Sequence, residues 1–547
     1  MFAGPKVRET LELARGAGLE LWVEGRRLRY RAPPGTIPAV LLARLREDRD
    51  DIVAILRADA AREQRSGPLA ENQRGLWLLS RMAPGSHAYH VALSLRLDGP
   101  LSVPQLEDSL QTLVDRHAVL RTTYVESDGV PHRVVTGHLA LPLERIVVSG
   151  QSETAVEEIV RASYERPFDL AQGPAIRVTL LEQSSTASIL LVVAHHLAVD
   201  GTSVAVLLDE LVDIYTRLEH GSPIPPKSDV ATFDEFVTWQ QRTMEQSAEA
   251  LDYWADVLTP PPPPLDLPAD HAPTSRLIRR GATLSHRLDG KLSSRLREYA
   301  RGSGATDFVV LLAMWFIFVR RISGQADVTV GTPVAGRSSS RFSRAVGNFM
   351  NVLPMRVRDL DGMRFAELVQ VVREIALKAL TNQDVALPTM LEHRARRGVA
   401  AAGQPFQTQF VLQEFARNSH LGRLLAGDAT AAVAAGSLIL RAYPLEQQEG
   451  QSLLSLDVFT DPEGFKCAWR YDRDQFDHET IEHWMRCFAT LIDAALTAPA
   501  SEIDLLAVLG AEDLTQLSSW NATAQAYPAE ATLPAVIAAQ AARTPEA

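Results

Sequence analysis

Cysteine is nearly missing from this chain, with Cys467 and Cys487 the only two among 547 residues. That excludes a disulfide framework and a Cys-based zinc cluster, and makes a reducing cytosol the expected setting. There is no apolar run long enough to span a bilayer, and the opening "MFAGPKVRETLELARG" lacks the basic-then-apolar order of a secretory signal, so a soluble cytoplasmic protein is expected. An excess of positive charge is also missing. With 55 Lys and Arg against 67 Asp and Glu the net charge is -12, which argues against nucleic acid as a partner. No internal repeat or low-complexity array breaks the chain. A hydrophobic content of 46% over this length is enough to bury several cores.

Charge is unevenly spread. Residues 1–66 carry 13 Lys and Arg against 10 Asp and Glu, a net +3, which leaves -15 for the remainder. Their pattern predicts a helix over Lys6–Ala14, a hairpin turning at Glu24-Gly25, and helices over Ile37–Arg46 and Asp48–Ala60, a small αββαα unit spanning residues 1–62. In the hairpin's second strand Arg27, Arg29 and Arg31 share one face and alternate with Leu28 and Tyr30. Such a face suits an acidic peptide added at the sheet edge, or is simply a solvated charged surface.

The stretch "AREQRSGPLAENQ" reads as a polar linker into a larger α/β (α+β) unit. There "SVPQLEDSLQTLVDRHAVL" is amphipathic at helical spacing, "TASILLVVAHH" is a buried-type strand and "GTSVAVLLDELVDIYTRLEHG" a helix. The proline-rich "TPPPPPLDLPADHAP" (259–273) cannot continue a helix and separates two similar lobes, at 67–240 and 274–500.

At the end of the buried strand, "LVVAHHLAVDGTSV" (191–204) places His195 and His196 in a loop before Asp200, Gly201 and a helix. Adjacent residues of an extended segment point to opposite sides, so one histidine faces a cleft and the other packing. A metal site needs further ligands, and no HExxH or Cys/His cluster supplies them, so no metal is expected. No GxSxG elbow provides a nucleophile either. What is left is a histidine that positions substrates or moves a proton, with Asp200 holding the loop.

"AHHLAVDG" resembles the HHxxxDG motif of the condensation domains of non-ribosomal peptide synthetases and of the wider chloramphenicol acetyltransferase-like acyltransferases. "LAENQRGLWLLSRMAPGSHAYHVA" (69–92), "RHAVLRTTY" (116–124), "TFDEFVTWQ" (232–240), "GTPVAGR" (331–337), "VGNFMNVLPMRVR" (346–358) and "NQDVALPTMLE" (382–392) are similar to companion motifs of that family, in the same order. The resemblance covers residues 67 to about 500 and implies a two-lobed, pseudo-dimeric fold with a central tunnel. It implies amide formation between two thioesters delivered on the phosphopantetheine arms of an upstream and a downstream carrier protein, with no cofactor bound by the domain itself. On this reading His196 orients the acceptor amine and takes or relays its proton, while the Gly201 N–H stabilises the oxyanion. Asp200, which also has a reading as the base, pairs with Arg337 across the lobes; His195 and Arg121 support the loop, and Asn351 lines the tunnel.

Two departures stand out. The family pattern after Gln-Asp has an aromatic that "QDVALPTMLE" lacks, and Leu197, Ala198 and Val199 inside the motif are more apolar than in many relatives. Relatives that cyclise side chains carry Asp at the first histidine, which His195 argues against. The first 60 residues look like docking domains that capture the C-terminal tail of an upstream synthase protein, and residues 501–547 resemble a linker and the start of an adenylation domain. An acyl-CoA-dependent N-acyltransferase and a catalytically inactive docking scaffold are the alternatives.

Overall fold

The computed structural model describes residues 5–32, 37–226, 230–273, 279–398, 404–413, 421–428, 430–445, 452–461, 463–524 and 531–546. The α/β architecture is organised around two six-stranded mixed sheets, one per lobe. In the N-lobe sheet, strand Ala187–His195 lies between His90–Asp98 and Ile176–Ser184, antiparallel to both. Its near-continuous apolar sequence follows from burial on both faces, by helices Val103–Arg116 and Gly201–Glu219 on one side and Glu153–Glu165 on the other. The C-lobe sheet wraps helix Asp307–Ser323, whose residues Val309–Val319 are all buried. A helix apolar all round must sit inside a core; Thr306 caps its start and Gly324, left-handed at φ 72°, ends it. No single described helix is long and apolar enough to cross a membrane.

The lobes are not consecutive in sequence. The hairpin of strands Ala432–Ala435 and Leu438–Ala442, inside the stretch expected to belong to the C-lobe, extends the N-lobe sheet, with Leu438–Ala442 pairing with His90–Asp98. A hairpin that adds to a sheet edge leaves no local sign of which sheet it will join.

The first unit forms as the periodicity predicts: helices Pro5–Gly16, Ala39–Glu47 and Arg49–Arg62 with the hairpin Glu20–Glu24 and Arg27–Arg31. Val7, Leu11 and Ala14, spaced three and four apart, pack against Leu19, Leu41, Leu45 and Ile52. Its attachment differs from the expected polar linker. Residues Gln64–Pro68 are a strand, paired with Val130–Thr136 in a three-stranded sheet of the N-lobe.

The hairpin turn is also clamped to helix Val103–Arg116. The Gly25 N–H donates to Asp115 Oδ2 (2.9 Å), the Arg26 N–H to Asp108 Oδ1 (2.8 Å), and the Arg116 Nε to buried Glu24 (2.8 Å). Two of the three arginines offered to an outside peptide are engaged here instead. Arg27 pairs with Asp108 at 3.2 Å, and Arg29 binds Glu24 (3.0 Å) and the Ile224 carbonyl (2.7 Å). Of the three, Arg31 alone, 79% exposed and 3.8 Å from Glu20, stays on the open surface. Strand alternation put the three on one face, but Asp108 of a distant helix, Glu24 of the hairpin's own first strand and the Ile224 carbonyl decided what covers it.

Gly25 sits at φ +58°, and a Cβ there would lie 2.2 Å from Thr112 Oγ1. Gly25→Val is expected to prise the hairpin from the N-lobe at a cost of about 1–3 kcal/mol. Limited proteolysis within residues 20–31 and a lowered melting midpoint check this; a variant as resistant as wild type would show that the clamp carries no stability.

Candidate active site

The site is built at the end of strand Ala187–His195. His195 closes the ladder, opposite His90 on the neighbouring strand. The His196 N–H donates to the Tyr89 carbonyl (2.8 Å) and the Ala198 N–H returns to the His195 carbonyl (2.8 Å), so the chain turns tightly. Leu197, Ala198 and Val199 are completely buried, and the Leu197 carbonyl accepts from Gln73 Nε2 (2.6 Å) and the Tyr124 hydroxyl (3.0 Å). These apolar residues anchor the loop like a plug.

Asp200 then caps helix Gly201–Glu219. One carboxylate oxygen accepts from the Ser203 N–H (2.8 Å) and the other from the Phe349 N–H (3.0 Å). The Arg337 guanidinium binds both oxygens, Nη1 to Oδ2 at 2.7 Å and Nη2 to Oδ1 at 3.0 Å. Arg337 also donates to Ser203 Oγ (3.0 Å) and the Ala345 carbonyl (3.1 Å), and its guanidinium carbon lies over the Phe349 ring, 4.1 Å from the ring centroid. Gly336 makes the approach possible, since at φ +62° a Cβ would come within 1.8 Å of the Phe349 carbonyl oxygen. Asp200 and Arg337 are thus a buried fork-to-fork pair joining the lobes.

The other expected residues divide. Gly201 opens the helix, where N–H groups have no carbonyl partner within the helix. Arg121 does not reach the loop: it donates to the carbonyls of Val114, Asp115 and Thr136, bracing the end of helix Val103–Arg116. Asn351 is no open tunnel group. Its amide donates to the Gln383 (2.9 Å) and Val385 (2.7 Å) carbonyls and accepts from the Val352 and Leu387 N–H groups, holding the "QDVALP" turn in place. Carbonyl and amide partners are invisible to a reading that looks for side-chain chemistry.

Sequence reasoning also missed several residues. Ser203, Gln73 and Tyr124 secure the loop, and all three lie in or beside stretches already singled out for their pattern. From the C-lobe, the positive charge of Arg470 acts on His196, and Arg470 pairs with buried Asp457 at 3.2 Å. No local pattern marks either as a site residue.

Burial sets the protonation of the histidines. It pushes His195 down to about 3, helped by His90 and His196, and His90 down to about 4 against the Tyr164 carbonyl. His196 is lowered chiefly by burial, opposed by Asp200 and by contacts of the ring with the main chain of His196 and Val199. The ring is therefore neutral at neutral pH. Among the described residues one cluster has metal-ligand spacing, His483, Cys487 and Asp513, and it includes none of the loop residues.

The histidine loop at the strand end is thus locked by a carboxylate–arginine pair between two sheet-based lobes. Residues 63–517 match the Condensation domain family and residues 7–58 the TubC N-terminal docking domain. The chain belongs to the condensation-domain family. It is 30% identical over 516 residues to a linear gramicidin synthase protein of Brevibacillus parabrevis, covering 92% of this chain and 6% of that protein. Against phosphinothricin tripeptide synthetase PhsC of Streptomyces viridochromogenes the identity is 29%, over 91% of this chain and 44% of that one. The chain thus spans less than half the length of either relative. A four-domain non-ribosomal peptide synthetase bound to AMP and glycine shares the fold, with TM-score 0.74 and 20% identity over 82% of this chain and 34% of the other. So does the first condensation domain of the calcium-dependent antibiotic synthetase, at TM-score 0.66 and 20% identity, over 82% of this chain and all of that one.

Two outcomes follow from this geometry. Asp200→Ala leaves Arg337 buried and unpaired, so stability should drop by about 3–5 kcal/mol. Arg337→Ala should cost a similar amount and the double variant less than the sum, read from denaturant midpoints. Additive losses would mean the two groups act separately.

The second outcome concerns pH. In the unfolded chain His90 and His195 protonate near 6.5, in the fold only near 4 and 3. Between those values the unfolded chain holds more protons, so their contribution is complete above pH 6.5 and is lost as pH falls through the folded values. Unfolding free energy should decline from pH 6.5 to 4 by at most about 1.4 kcal/mol per pH unit and ring. His90→Asn should flatten that slope, as measured by denaturant melts at each pH.

Proposed function

We propose that this chain joins an acyl or peptidyl thioester, delivered by an upstream carrier protein, to the amine of an aminoacyl thioester on a downstream carrier. The phosphopantetheine arms belong to the carriers and the domain binds no cofactor of its own. The observation that carries this reading is a neutral His196 held beside an interlobe ion pair whose carboxylate is fully engaged. With four donors on Asp200, no lone pair is left to act as a base, so the amine's proton falls to His196.

Little base strength is needed, because an α-amine with a pKa of about 7.7–8.0 is already partly neutral at pH 7. Holding the two tethered reactants at attack distance is worth up to about 7–11 kcal/mol, more than general base catalysis supplies. The Gly201 N–H, at the positive end of a 19-residue helix, is suited to the developing oxyanion. His195, Asp200 and Arg337 act through the loop they hold.

The docking unit binds the C-terminal tail of an upstream synthase protein, with Arg31 and half-exposed Tyr30 as its available hairpin contacts. The same longer chain supplies the adenylation domain and the downstream carrier. Two buried free cysteines fit a cytoplasmic setting.

The test is product formation from two loaded carriers, beside acyl-CoA plus a free amine. His196→Ala should reduce the two-carrier reaction by about 10²–10⁴-fold and leave the melting midpoint near wild type, whereas Arg31→Glu should weaken only an upstream carrier bearing its native tail, in a salt-sensitive way. A near-wild-type rate for His196→Ala would remove the proton-transfer role; faster reaction with acyl-CoA would favour the N-acyltransferase, and no reaction the inactive scaffold.

A further inference from the structure

Outside the histidine loop, two helices bring a second set of reactive side chains together. His483 and Cys487 stand one turn apart on helix His478–Thr497, and Asp513 faces them from helix Ala511–Trp520. His483 Nε2 lies 3.4 Å from Cys487 Sγ, and His483 Nδ1 lies 3.4 Å from Asp513 Oδ1. One ring nitrogen, the sulfur and a carboxylate oxygen all fall within 4.8 Å of one another, and among the described residues no other three His, Cys, Asp or Glu side chains do so.

The distances suit a metal ion. At 3.4 Å the imidazole–carboxylate contact is long for a hydrogen bond. A tetrahedral zinc ion with bonds of about 2.0–2.3 Å sets its ligands about 3.3–3.6 Å apart, the spacing that His483 already keeps from each neighbour. An imidazole gives an ion one nitrogen, so binding draws the trio in from 4.8 Å, and the His483 side chain, 39% exposed, has room to turn. Asp513 is held in place by its other oxygen, which accepts from the Gly510 N–H (2.9 Å). The site opens to solvent at His483, where water completes the coordination. Thiolate, imidazole and carboxylate together favour zinc over magnesium or calcium, which take oxygen ligands.

The helix that carries Asp513 supplies an independent reason. Ala511–Trp520 has ten residues and none of them is buried. Helices of fewer than about 12–15 residues are marginal in water unless packing supports them. A bond from Asp513 to the neighbouring helix supplies the support that a buried face does not.

We propose that His483, Cys487 and Asp513 bind one zinc ion, which staples helix Ala511–Trp520 to helix His478–Thr497 and fixes the direction in which the chain leaves the condensation fold. Its role is structural. Cys487 binds as the thiolate, and its proton passes to water. Nothing in this depends on the two-carrier reading.

The experiment strips the full chain with EDTA and titrates it with Co²⁺ and Zn²⁺. One equivalent of Co²⁺ should give a thiolate-to-cobalt charge-transfer band and the visible bands of a tetrahedral ion, both erased by Zn²⁺. Cys487→Ser should remove the charge-transfer band and weaken Zn²⁺ by at least about 100-fold. Asp513→Asn, on a helix with no buried residue, should weaken it by at least about ten-fold. In wild type, Zn²⁺ should slow proteolysis within residues 505–520 by at least about ten-fold, and in Asp513→Asn it should not. A wild type without the charge-transfer band, an unchanged band in Cys487→Ser, or equal zinc affinity in Asp513→Asn would each overturn the site. The wild-type spectrum and Asp513→Asn decide the matter even if Cys487→Ser fails to fold. Proteolysis indifferent to Zn²⁺ in a chain that shows the band would overturn the staple.

Discussion

The buried pairing of Asp200 with Arg337 is the constraint on which the remainder of this molecule depends. Burying two charges costs several kcal/mol each, and their attraction offsets that only when every lone pair and donor is used. Here the carboxylate receives two main-chain N–H groups and both arms of the guanidinium, which itself stacks on Phe349 and reaches Ser203 and Ala345. The partners lie 137 positions apart, one in each lobe. Because Asp200 begins the helix that follows the histidine loop, the same pair sets where His196 stands relative to Arg470 and Asp457 of the facing lobe.

That explains a division of labour that residue types alone leave ambiguous. An aspartate beside a histidine is as suitable for proton transfer as for structural support, and only the occupancy of its oxygens separates the roles. The three apolar residues of the loop act in the same direction. With no polar side chain between His196 and Asp200, the turn is held by packing, by main-chain bonds and by the Gln73 and Tyr124 side chains on the Leu197 carbonyl.

A second constraint joins the docking unit to the catalytic body. A strand continuing helix Arg49–Arg62 and a hairpin turn seated on helix Val103–Arg116 make two separate attachments. A unit held at two points cannot swing as a tethered module does. Its surface therefore keeps one place relative to the N-lobe, the lobe that contains a cavity beside His195.

Periodicity and local chemistry were enough for the αββαα unit, the buried strand ending at His195, the helix starting at Gly201, and the loop between them that carries both histidines. These follow from interactions within a few residues, where 3.6- and 2-residue repeats and capping rules operate. Arg27, Arg29, Arg121 and Asn351 were legible as polar residues but not in their roles, because each is satisfied by carbonyls, amides or acidic groups brought near only by folding. The same holds for the strand pair 432–442, which crosses to the other lobe, and for His90, whose Nδ1 is held by a carbonyl 74 positions away. Sequence by itself determined which segments would be helix or strand and which loop carries the histidines. Tertiary structure alone decided which polar atoms are already paired and by what, since a hydrogen bond depends on distances of a few tenths of an ångström that no spacing along the chain encodes.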